Sequence, residues 1–103
     1  MKTLRDYIKG YGFVPILLIA SHTAKDGTRY ELVKQEGYGS FYFMKGEEVV
    51  KKEYLPDDKY PQLSIDHINH PRDITVIEEI LDQPSYQKFV KFIYDECGEE
   101  FHL

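Results

Sequence analysis

A chain of 103 residues with 42% hydrophobic and 30% charged side chains has room for one globular domain with its own core, which excludes disordered, fibrous and multidomain organisations. Nine tyrosines and six phenylalanines, without a tryptophan, supply much apolar area per side chain, so no metal or disulfide staple is needed for stability. The net charge of −5 is uneven: residues 1–72 carry eleven basic and ten acidic side chains, residues 73–103 two basic and eight acidic, so the last third repels nucleic-acid phosphate and suits a basic partner surface.

The single cysteine, Cys97, has no internal partner and fits a reducing, cytoplasmic compartment. It reads as a buried residue in the last turn of a helix. Lys2, Arg5 and Lys9 ahead of the apolar run Phe13–Ala20 follow the rough order of a secretion signal. Asp6, Gly10 and Gly12 interrupt that order, and the run is far too short to span a bilayer, so it reads as a buried strand.

In chain order, Thr3 followed by Asp6 has the form of a capping box, with a short helix from about Leu4 to Lys9 and a stop at Gly10. The run Phe13–Ala20 is apolar on both faces and predicts a central strand, with Pro15 near its start. Asp26-Gly27 is a hairpin turn. It leads into a strand over Thr28–Lys34 that alternates at Tyr30 and Leu32. Gly37-Tyr38-Gly39 turns into Ser40–Met44, and Lys45-Gly46 turns into Glu48–Leu55. Turns at such spacing predict an antiparallel meander. Residues 56–72, with three prolines and few aliphatics, form an irregular connection. Asp73 then opens a helix bearing Ile74, Ile77, Ile80 and Leu81. Pro84 and Ser85 open another, with Tyr86, Phe89, Val90, Ile93, Tyr94 and Cys97 as its apolar stripe and Gly98 as its stop. The assembled expectation is one α+β domain over 1–103: a short N-terminal helix, a four-stranded antiparallel meander and two C-terminal helices packed on one sheet face.

Lys9-Gly10-Tyr11-Gly12-Phe13-Val14-Pro15-Ile16 resembles the aromatic octamer of RNA-recognition domains, with Ile16 in place of the last aromatic. Cold-shock domains carry a similar pattern. The resemblance implies bases stacked on Tyr11 and Phe13 of a strand, with Lys9 near phosphate. The same residues also read as glycines that end a helix and admit a strand.

Asp66-His67-Ile68-Asn69 resembles the opening of the HNH nuclease motif, which implies His67 as general base and Asp66 as metal ligand. Asp66, His67 and His70 are thus the candidate metal ligands, by residue type and spacing. Their plainer reading is a loop whose Asp and Asn bond local backbone. His22 and His102 have no partner near in sequence.

No complete catalytic set is present, so a non-enzymatic role leads. The favoured expectation is a small protein-binding module of inhibitor or accessory type, without a cofactor. It acts through an aromatic sheet face and the acidic C-terminal region. Phe41 and Phe43 point to one side of their strand, Tyr42 and Met44 to the other, and only one pair can face the helices. Tyr30, Tyr38, Tyr42 and Met44 are the expected binding residues, with a foreign protein or a second copy in a homodimer as occupant. Single-stranded nucleic-acid binding through Lys9–Phe13 is the alternative, and metal-dependent hydrolysis through Asp66, His67 and His70 the third.

Overall fold

Thr3 and Asp6 begin the first helix as their spacing predicts: the Thr3 backbone N–H donates to Asp6 Oδ2 at 2.8 Å. In the computed structural model, which describes residues 1–13, 16–35, 37–58 and 82–100, this helix, α1, spans only Leu4–Tyr7. It is shorter than expected because Ile8 turns extended (φ −114°, ψ 110°) and drops its side chain onto the sheet, where it is buried.

Four strands follow: β1 (Ile16–Thr23), β2 (Arg29–Gln35), β3 (Ser40–Lys45) and β4 (Glu48–Tyr54). They pair antiparallel in the order β1-β2-β3-β4, the expected meander. Asp26-Gly27 forms the first turn: Gly27 takes φ +90°, and Asp26 Oδ1 accepts the Thr28 N–H at 2.9 Å. Among the described residues, the apolar run expected to be central is instead an edge strand. Its α2 side is buried at Leu17 and Ile19, while Ile16 and Leu18 on its other side are only half-buried.

The second described helix, α2, spans Pro84–Cys97, with proline in its first turn and Gly98 in the left-handed conformation at its end (φ 72°). Its buried side is Ser85, Tyr86, Phe89, Phe92 and Ile93. Tyr94, assigned to the stripe from sequence, is exposed: it lies about 140° round the helix from Phe89 at 100° per residue. Phe92 takes its place in the core. The Ser85 N–H donates to the buried Asp58 carboxylate at 2.9 Å, so a residue just beyond β4 caps α2 from outside. The architecture is mixed α+β. Among the described residues a single C-terminal helix packs on the sheet, and the helix expected over 73–81 lies outside them.

Two apolar clusters sandwich the sheet. On one side Leu17, Ile19, Leu32, Phe41 and Phe43 meet Tyr86, Phe89, Phe92 and Ile93 of α2, with Phe43 and Phe92 in an edge contact at 5.6 Å. On the other, Leu4 and Ile8 cover Val33, Tyr42, Met44 and Val49. Two irregularities adjust the ladders. In β1 an extra residue between Leu18 and Ala20 makes Ile19 and Ala20 both join the α2 side. In β4 Val50 is the extra residue, since Phe43 pairs with Lys51 and Met44 with Val49. No helix among the described residues is long and apolar enough to cross a membrane.

Candidate functional site

The sheet face expected to stand open is the one beneath α1. Tyr42 is 2% exposed, its ring edge-on to Tyr7 at 5.7 Å, and Met44 is buried beside it. The N-terminal segment is also tied to the far side of the sheet, where the Val49 N–H donates to the Lys2 carbonyl at 2.7 Å. Tyr30 is buried on the opposite, α2 side against Phe92. Burial pushes the hydroxyls of both Tyr30 and Tyr42 above their ordinary range. Of the four expected binding residues only Tyr38, in the β2–β3 turn, is exposed. The four are therefore divided between two faces and a turn, and make no common aromatic patch.

Residues 8–13 form successive turns instead of a strand: the Tyr11 N–H donates to the Ile8 carbonyl, the Phe13 N–H to that of Gly10, and Gly10 and Gly12 take positive φ. The strand platform implied by the resemblance to RNA-recognition domains is thus not formed by this segment. Tyr11 lies under the Arg5 guanidinium at 5.5 Å, and Phe13 points into solvent. Asp66, His67 and His70 lie outside the described residues.

The α1 side nevertheless has a concave feature. Alternation along the strands brings Ile16, Leu18, Val33 and Met44 to the floor of a groove of about 480 Å³. Thr3, Leu4 and Arg5 at the start of α1 and Tyr11 from the following turn form one wall. Glu31 and the Gly46-Glu47 turn close the other. The groove exists because α1 is one turn long: it covers Tyr42 and Val49 but stops short of the β1 side of the face.

The floor is apolar and the rim carries carboxylates at Glu31 and Glu47 against one guanidinium, Arg5, already placed over Tyr11. Glu31 shares its charge with Arg29 at 3.5 Å along its own strand. At the mouth of α1, the Thr3 backbone N–H holds the Asp6 carboxyl below its ordinary value, adding a further fixed negative charge. No imidazole, thiol or amine lines the groove among the described residues. Such a surface can accept an apolar side chain and orient a neighbouring cation, with little means for covalent chemistry.

Of these groove residues the sequence points to Met44 as a protein-binding residue, and to Tyr11 and Ile16 only within the octamer resembling RNA-recognition domains. A signal was present: Ile16 and Leu18 interleave with Leu17 and Ile19, so β1 needs cover on both sides. Comparison of the chain with protein-family models, with curated proteins and with solved structures finds no match to any of them.

Proposed function

We propose that this protein is a small, non-enzymatic protein-binding module of inhibitor or accessory type that acts through the groove beside α1. One observation carries the reading: a groove beside the Glu31 and Glu47 carboxylates is lined by half-buried Ile16 and Leu18, with buried Val33 and Met44 beneath them. Apolar pockets with a few placed polar groups are where binding energy concentrates. The matching occupant is a partner segment that inserts one aliphatic or aromatic side chain and presents a lysine or arginine beside it. The acidic C-terminal third adds longer-range attraction for the same kind of basic surface.

A displayed random-peptide library panned on the purified protein tests this directly. Enriched peptides should combine a large apolar residue with a neighbouring Lys or Arg. Their binding should weaken in Glu31→Lys/Glu47→Lys, and their amide-shift perturbations should map to Leu18, Val33 and Met44. Enrichment of acidic peptides, or perturbations confined to other surfaces, refutes the proposal.

A further inference from the structure

Three side chains that sequence separates are brought together where the end of β1 meets the end of α2. His22 reaches this place because of the extra residue in β1. In a regular ladder the side chains after Ile19 would fall on the opposite faces, and His22 would point toward α1. As built, His22 stands across from Tyr30 on the α2 side. Gly98, in the left-handed conformation, ends α2 and turns the chain so that Glu99 faces back to the sheet. Glu99 Oε1 lies 2.9 Å from His22 Nε2, and Oε2 accepts the Lys25 backbone N–H at 3.0 Å. Cys97, in the last turn of α2, directs its thiol to the Ile93 carbonyl at 3.2 Å.

One donor atom from each of His22, Cys97 and Glu99 lies within 4.8 Å of the other two, and all three residues are half-buried. Imidazole nitrogen, thiolate sulfur and carboxylate oxygen form a donor set suited to zinc, whose bonds of about 2.0–2.3 Å place tetrahedral ligand atoms roughly 3.3–3.7 Å apart. No separation exceeds that spacing by more than roughly 1.5 Å. The Lys25 N–H already orients the carboxylate from behind, as outer-shell partners do at metal sites.

We propose that His22, Cys97 and Glu99 bind one divalent cation of the zinc class, with a fourth position left to water. Binding replaces the hydrogen bond between His22 and Glu99. The thiol proton of Cys97 passes to solvent, one ring nitrogen of His22 donates its lone pair and the other keeps the proton. The site is separate from the groove beside α1, on the opposite face of the sheet, and does not depend on what that groove holds.

Cobalt(II) titrated into the full chain, reduced and free of other metals, is the test. One equivalent should bind with the near-ultraviolet absorption of thiolate-to-cobalt charge transfer, and zinc should displace it. Because Cys97 is the only cysteine in the sequence, that band reports this residue alone. Cys97→Ser should abolish it. His22→Ala and Glu99→Gln should each weaken binding by about tenfold or more, taking outer-shell losses as the lower bound. His67→Ala/His70→Ala should leave it unchanged. The parent chain gives a second readout that needs no variant: equimolar zinc should protect Cys97 from alkylation. Absence of the charge-transfer band, its persistence undiminished in His22→Ala, or alkylation unaffected by zinc each overturns the site.

Discussion

Replacement of Tyr42 by alanine separates a covered sheet face from an open one. The ring is 2% exposed, lies edge-on to Tyr7 at 5.7 Å and has the Lys52 ammonium over it at 5.7 Å. Removing a fully buried aromatic costs about 3–5 kcal/mol, through lost transfer energy and the cavity left behind. At this chain length that corresponds to a fall in melting temperature of about 12–20 °C, at roughly 4 °C per kcal/mol. Were the face open, the same change would cost within about 0.5 kcal/mol. Thermal unfolding followed by circular dichroism distinguishes the two, with Tyr38→Ala as the exposed control. The contact with Tyr7 can be isolated in a double-mutant cycle, where a coupling of about 0.5–1.5 kcal/mol is expected for an edge-to-face pair. A Tyr42→Ala protein that melts within about 2 °C of the parent would mean that α1 does not cover this face, and the groove would lose its wall.

On the other side of the sheet, Phe89→Ala should cost about 3–5 kcal/mol and Tyr94→Ala less than about 0.5, measured by urea unfolding; equal effects would place the α2 stripe in the wrong register. Gly98→Ala should destabilise by about 1–3 kcal/mol, since alanine resists the left-handed conformation held there, and an unchanged midpoint would refute that. Acid should weaken the metal-free protein in part through Glu99. The Lys25 backbone N–H, and after it the His22 ring, hold that carboxyl below its ordinary value. Its contribution is therefore complete above the unfolded-state pKa and lost as pH falls through the lowered folded one. Glu99→Gln should narrow the gap between urea midpoints at about pH 6 and about pH 3, and an unaltered gap would contradict the assignment.

Elements whose signals are local were legible in the sequence. Asp26-Gly27, Gly98 and the Thr3–Asp6 pair act within a few residues of themselves, so composition and spacing were enough to place them. The side of α2 that packs inward was read nearly correctly; Tyr94 and Phe92 were exchanged because both adjoin the same stripe and only the sheet decides which flank it meets. What failed is long-range. Whether Tyr42 faces water depends on Leu4 and Ile8, some 35 residues earlier, and no pattern within β3 reports them. The approach of His22 to Cys97 and Glu99 depends on one extra residue in β1 and one left-handed glycine, and neither leaves a trace in the spacing of the three. The groove is a product of what α1 fails to cover, and a shortfall of two residues, from Lys9 back to Tyr7, is below what capping signals resolve.

The hydrogen bond from Ser85 to Asp58 fastens two points 27 residues apart in the chain, just outside the stretch 59–81. It acts as a noncovalent ring closure between the end of the meander and the start of α2. Chain length between two points already joined enters stability only logarithmically, at about 0.6 kcal/mol per doubling. The entropic cost of closing this ring therefore depends only weakly on how many residues lie between its two ends. Asp58 and the first turn of α2 serve, in effect, as a buckle between the sheet and the helix that covers it.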